Sequence, residues 1–306
     1  MIGGAVALLA LLAFAHYLGW FRRARPWPEA TGWDRIPAEQ QPGTEVAGLL
    51  AQHGVRVDWL GHAGFIVRWG GQTVLLDPNT ACSCSVVAPR LLEPAGDLAR
   101  LGPVDAVCLS HAHFDHMDMP TLRRIAGLGH LLVPFGCTDY VAGVQTGATR
   151  HVLRAGDRVQ LGGLEITAVP AAHNGNRGHP FRSVQPALGY MLKRDGFTLY
   201  FAGDTAFRNP FARIATEHRP DVAILPIGAF EPAPILHHYH MNPEEAVSAA
   251  AQLGVRGVIP CHFGTLRLSF DDPRIALPRF AAAAEVAGLP WLMPRLWHPE
   301  LPHESH

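Results

Sequence analysis

A surplus of positive charge is the first thing this sequence lacks. Its 306 residues carry 25 Lys plus Arg against 26 Asp plus Glu, a formal net charge of −1. Capture of a nucleic-acid backbone draws on a basic face, so the charge balance gives no reason to expect DNA or RNA as a partner. Cysteine is scarce too, five residues in an odd count without regular spacing. That argues for reduced thiols and against a disulfide framework. Cys82-Ser83-Cys84 reads as a loop near a site more readily than as a second metal centre. No GxSxG and no Cys–His arrangement suggests a protein nucleophile, and Gly3-Gly4, Gly70-Gly71 and Gly162-Gly163 sit in no phosphate-cradling context. Internal repeats and low-complexity segments are also missing.

One stretch lacks charge of either sign. Ile2 to Phe21 contains no Asp, Glu, Lys or Arg, and His16 is its sole ionisable side chain. A helix of that length spans about 30 Å, the hydrocarbon thickness of a bilayer. Arg22, Arg23 and Arg25 follow it, and no Lys or Arg precedes it. The charge bias predicts a membrane-spanning helix over residues 2–21, a single-pass protein with its amino terminus outside and its catalytic domain cytoplasmic. A cleaved signal peptide is the competing reading, with Ala13-Phe14-Ala15 as a small-residue site. The missing positive n-region and the arginines behind the segment weigh against it. Residues 22–45 read as a connector, whose Trp27 and Trp33 either meet a bilayer interface or pack on the domain. Residues 46–306 are expected to form one folded domain.

Histidine, by contrast, is plentiful, with 18 residues. His111-Ala112-His113-Phe114-Asp115-His116 puts four candidate metal ligands within six residues, directly after the apolar run Val104 to Leu109, which reads as a buried strand. Imidazole nitrogen with carboxylate oxygen is the donor set of hydrolytic zinc sites. Partners recur downstream in similar settings. His173 follows the strand-like Leu164 to Val169, Asp204 follows Phe197 to Gly203, and His262 follows Gly257 to Cys261. Ligand-type residues at the ends of apolar strands are how a layered α/β protein gathers a site from distant sequence.

The order HxHxDH, then a His, then Gly203-Asp204-Thr205, then a last His resembles the metallo-β-lactamase-fold hydrolases from about Val55 to Ser269. Trp59-Leu60-Gly61-His62-Ala63, Pro226-Ile227-Gly228-Ala229-Phe230-Glu231-Pro232, His240-Met241-Asn242-Pro243-Glu244-Glu245-Ala246 and Cys261-His262-Phe263-Gly264-Thr265 resemble one branch. That branch is the N-acyl-phosphatidylethanolamine-hydrolysing phospholipase D group; ascorbate-phosphate lactonase-like proteins share much of it. The resemblance implies that Asp77 supports the site without binding metal, and that His240 lies in the active site, orienting substrate or transferring a proton. His62 reads as a supporting or structural histidine at least as readily as a catalytic one.

Strands then helices, twice over, suit an α/β, four-layer αββα sandwich with the metals at one edge. Ligand count implies two Zn2+ or other divalent ions. His111, His113 and His173 suit the first, Asp115, His116 and His262 the second, with Asp204 bridging. A water between ions about 4 Å apart would have its pKa brought near neutrality, with Asp115 and His240 as the catalytic side chains. The expected activity is a phospholipase D-type phosphodiesterase acting on N-acyl-phosphatidylethanolamine-like phospholipids at a membrane reached through residues 2–21. The alternative is a lactonase or another small-substrate metal hydrolase of the same fold. A ribonuclease-like role ranks behind both for want of basic charge, and a non-enzymatic scaffold ranks last because every ligand position is filled.

Overall fold

Most strands here are apolar in both phases of their alternation, and the fold follows from covering both faces. The computed structural model describes residues 25–84, 88–177 and 186–299. In chain order its strands are β1 Val55–Gly61, β2 Gly64–Trp69, β3 Gln72–Leu76, the short β4 Ser83–Cys84 and β5 Ala88–Pro89, β6 Val104–Cys108 and β7 Leu128–Pro134. There follow β8 Thr149–Leu153, β9 Arg158–Leu161, β10 Leu164–Asn174, β11 Pro186–Arg194, β12 Phe197–Phe201, β13 Val222–Pro226 and β14 Gly257–Cys261. Two six-stranded sheets result, ordered β1-β2-β3-β6-β7-β8 and β14-β13-β12-β11-β10-β9.

Alternation sorts the side chains between layers. Phe65, Val67, Val74, Leu76, Ala106 and Cys108 face the second sheet and share one core with Tyr190, Leu192, Leu199 and Phe201. Ile66, Leu75, Val107, Leu131 and Val133 point the other way, into a second core closed by Leu98, Met117, Leu122 and Trp297. The outer face of the second sheet is covered by the helices Pro243–Leu253 and Ala276–Ala287, through Ala246, Ala250, Leu277 and Phe280. Helix, sheet, sheet and helix make the expected four layers. The parallel pairs β3–β6, β12–β13 and β13–β14 run their carboxyl ends toward one edge, where the candidate donors emerge.

Local signals explain the best-defined helix. Pro243 occupies its first turn, Asn242 and Glu245 close a reciprocal capping box at 2.8 and 3.0 Å, and Gly254 ends it at φ +65°. Glu245 thus has a structural job, and Glu244 pairs with Arg279. Pro278 lies in the first turn of Ala276–Ala287, where its missing N–H leaves no helical bond unmade and gives no cause for a kink. Trp27 and Trp33 pack on the domain: their ring centroids are 5.2 Å apart, and Trp33 lies 6.1 Å from Trp291.

The membrane-spanning helix expected from the amino-terminal apolar run is a correction. No helix among the described residues is long and apolar enough to cross a membrane. The longest, Ala276–Ala287, has 12 residues, a rise of about 18 Å against the roughly 30 Å required. Residues 2–21 themselves lie outside the described residues. Hydropathy and the arginines behind the run say what a bilayer would accept, and the described residues supply no spanning helix to match. Neither the fold with an added spanning helix nor the single-pass placement with a cytoplasmic catalytic domain is supported; the described residues form the sandwich.

Candidate metal centre

Segments from both sheets deliver side chains to one edge of the sandwich, five of them by a local device in the backbone. At the end of β3, Asp77 takes φ +38°, and at the ends of β1 and β14, His62 and His262 take φ +56° and +60°. Left-handed backbone at a non-glycine residue costs about 1–3 kcal/mol and persists where surroundings over-determine it. Three such residues at one edge mark it as a built site. His173 is aimed by a shift in the β10–β11 register between Ala171 and Asn174, a bulge that re-orients the strand end. Gly203 turns at φ +60° with no room for a Cβ, which would lie 2.8 Å from Ser110 Cβ and 2.9 Å from Leu188 O.

Asp204 Oδ2 is the centre of the arrangement. His262 Nε2 lies 3.1 Å from it, His116 Nε2 3.2 Å, His173 Nε2 3.9 Å and His111 Nε2 4.0 Å. On one side His113 Nδ1 sits 2.9 Å from His111 Nε2 and 3.2 Å from His173 Nε2. On the other, Asp115 Oδ2 is 3.3 Å from His116 Nε2 and 3.4 Å from His262 Nε2. All seven sequence-proposed donors are therefore brought together, in two subsets that share Asp204. His240 approaches the same carboxylate, Nδ1 at 3.8 Å. His237 and His238 are exposed and stay outside the cluster.

The atoms behind these rings decide which nitrogen faces inward. Ser110 Oγ donates to Asp77 Oδ2 at 2.5 Å, and so accepts from His111 Nδ1 at 2.8 Å. His116 Nδ1 donates to Asp77 Oδ2 at 2.6 Å, and His173 Nδ1 to the Tyr239 carbonyl at 2.8 Å. At His111 and His173, whose pKa values lie below the ordinary one, Nε2 is then a bare lone pair pointing at other lone pairs. Such atoms repel unless a cation lies among them. Metal ligands backed by a carboxylate or carbonyl show this pattern. Donors on a tetrahedral ion at 2.0–2.1 Å lie roughly 3.3 Å apart, close to the separations within each subset. His116 Nε2, His262 Nε2 and Asp204 Oδ1 are buried without a hydrogen-bond partner. The donor set fits divalent metal.

Electrostatics give the same answer. Burial alone would push the Asp204 and Asp115 carboxyls up, but the neighbouring His116 and His262 imidazoles hold both well below the usual carboxylate range. Burial likewise opposes charge on His116 and His262, yet Asp204 and Asp115 pull His116 well above its ordinary value and His262 to about 9. Two buried carboxylates demand nearby positive charge. Elsewhere burial wins, taking His173 down to about 4 and His240 to about 3; His62 also falls to about 3, burial and His262 outweighing its contact with Asp115.

Several contributors escaped the sequence reading. Ser110 links Asp77 to His111. Arg177 donates to the carbonyls of Ala112 and Met117, clasping both ends of the ligand loop, and its guanidinium lies 4.3 Å from the Phe114 ring centre. Buried Arg90 donates to the carbonyls of Leu60, Asn79 and Leu92. Position of Ser110 beside His111 was the one available signal; the arginines act on backbone carbonyls, which sequence does not display.

Comparison with known proteins bears on this geometry. Residues 72–263 match the family described as the Beta-lactamase superfamily domain. An uncharacterized protein of Mycobacterium tuberculosis is 36% identical over 242 residues, 75% of this chain, and this chain spans 64% of that protein's length. A UPF0173 metal-dependent hydrolase of Pyrobaculum aerophilum is 32% identical over 222 residues, 72% of this chain and 88% of its own. The N-acyl-phosphatidylethanolamine-hydrolyzing phospholipase D 1 of Caenorhabditis elegans is 30% identical over 256 residues, 77% of this chain and 72% of its own. Among solved structures, the metallo hydrolase Igni18 of Ignicoccus hospitalis is 26% identical with a TM-score of 0.57, covering 80% of this chain and 95% of its own.

Proposed function

The chain belongs to the beta-lactamase superfamily, and from that premise we propose a hydrolase working with two divalent ions, zinc foremost. His111, His113 and His173 would hold one ion, Asp115, His116 and His262 the other, and Asp204 both. The observation that carries this reading is the set of inward-turned imidazole nitrogens around Asp204 Oδ2. When bound, such ions supply Lewis acidity toward a phosphoryl or carbonyl oxygen and a nucleophile from water near neutral pH. Everything else is the work of the chain. Asp77 keeps a proton on His116 Nδ1 and, through Ser110, on His111 Nδ1, so both rings stay neutral donors. Burial of His111, His116, Asp204 and His262 excludes bulk water. His240 keeps an unpartnered Nδ1 near Asp204, where it can orient a substrate or hand a proton to a leaving oxygen.

For substrate, we propose a phospholipid phosphodiester of the N-acyl-phosphatidylethanolamine kind. The Caenorhabditis relative supports it, as do the exposed Phe114 and Tyr239, next in sequence to His113 and His240. Arg177 over Phe114 adds positive charge at that rim. The second reading, from the ascorbate-phosphate lactonase-like proteins that share much of the same motif set, is a lactonase or other small-substrate hydrolase using the same centre. The test is a turnover screen of zinc-loaded protein on N-acyl-phosphatidylethanolamine dispersions, a lactone panel and a soluble phosphodiester. Release of the N-acylethanolamine supports the first reading. Turnover confined to lactones transfers the assignment to the second, and inactivity on all three with two ions bound contradicts both.

A further inference from the structure

His62 is tied into the centre from four directions. Its backbone N–H donates to Thr265 Oγ1 at 2.6 Å, and its carbonyl accepts from the Trp59 indole and from the His262 backbone N–H, each at 3.0 Å. It therefore joins the end of β1 in one sheet to the end of β14 in the other. Its ring lies 4.1 Å from the His262 ring, and Nε2 sits 2.8 Å from Asp115 Oδ2. An ionised carboxylate offers lone pairs alone, so a contact that short places the imidazole proton on Nε2. Nδ1 is buried without a partner.

His62 relates to the site differently from the two histidines beside it. His116 and His262 bring Nε2 within 3.2 and 3.1 Å of Asp204 Oδ2. The Asp115 carboxylate is the hydrogen-bond partner of the His62 ring, and His62, Asp115, His116 and His262 lie close enough together to share one ion, which the variants below distinguish from a positioning role. Asp115 is meanwhile fixed at its other end, where Asn79 Nδ2 donates to its backbone carbonyl at 3.0 Å. Without His62 that carboxylate would be free to rotate away from His116 and His262.

Building on the two-ion reading above, we infer that His62 is a positioning residue: its Nε2–H holds Asp115 Oδ2 against the His116 and His262 nitrogens and so sets the affinity of one ion out of two. Residues that orient a metal ligand from behind commonly contribute 10–100-fold in metal affinity. The His111, His113 and His173 subset has no contact with His62 and should be indifferent to it.

The experiment compares full-length wild type with His62→Asn, His62→Ala and His62→Gln, titrating zinc against a chromophoric chelator and recording cobalt(II) absorption. Asparagine tolerates the left-handed backbone but is too short to reach Asp115, so it removes the bond while relieving the fold; glutamine carries an amide N–H close to the Nε2 position. The expected result is one binding step weakened about 10–100-fold in the Asn and Ala variants, the other step unchanged, and recovery in Gln with a wild-type cobalt spectrum. Two unchanged steps in Asn and Ala would overturn the inference. So would loss of an ion in Gln with an altered cobalt spectrum, since His62 would then be a ligand. Wild type binding fewer than two ions would instead fail the two-ion reading and take this inference with it.

Discussion

His116 illustrates what a residue-scale reading can and cannot see. Its identity as a donor is carried by residue type and by its place in the His111–His116 cluster, because imidazole and carboxylate chemistry does not depend on context. What turns its Nε2 inward is Asp77, 39 positions earlier in sequence, at 2.6 Å. The same division runs through the site: Asp204 and His262 could be proposed from sequence, whereas Ser110, Arg177 and the bond from His62 to Asp115 depend on backbone angles and carbonyl directions. His240 is the sharpest residue-scale test. It lies 3.8 Å from Asp204 Oδ2 with an unpartnered Nδ1, and both candidate ligand subsets are complete without it. His240→Ala is expected to retain metal while lowering turnover by about 10²–10⁴-fold, the usual contribution of a general acid or base. Kinetics and elemental analysis on one preparation check this; wild-type turnover would remove His240 from the chemistry, and lost metal would make it a ligand.

At the scale of elements, strand cores were legible and their neighbours less so. Apolar runs located β3, β6, β12, β13 and β14 because buried parallel strands advertise themselves. Asp118 as a cap and Pro120 in the first turn favour a helix running to about Leu128, yet it spans Met119–Arg124. Leu128 is claimed by β7, which pairs in parallel with β6, so sheet pairing overrides a local helical signal. Thr138–Val141 forms a single 3-10 turn. Where local signals are complete they prevail, as in Pro243–Leu253, whose capping box follows directly on His240-Met241. Asn242→Ala removes the cap and should cost about 1 kcal/mol, lowering Tm by about 2–4 °C in a domain of this size. Calorimetry on the metal-loaded protein checks this. A loss of turnover much larger than the stability change would mean that the cap also holds His240 in place.

Across the whole molecule, the four layers could be anticipated from the order of strands and helices, and the position of the site from ligand types at strand ends. The spanning helix expected of the amino-terminal run has no counterpart among the described residues, and hydropathy measures what a bilayer would accept and not what the chain builds. The fold concentrates three buried carboxylates, Asp77, Asp115 and Asp204, and inward-facing imidazoles at one edge, and the proposed explanation is divalent metal shared through Asp204. The most direct measurement is elemental analysis of purified wild type and Asp204→Ala after dialysis against metal-free buffer. The account predicts close to two divalent ions per wild-type chain, and loss of both or nearly both in Asp204→Ala, because one carboxylate serves each site. At most one ion in fully active wild type, or two ions retained without Asp204, would contradict it.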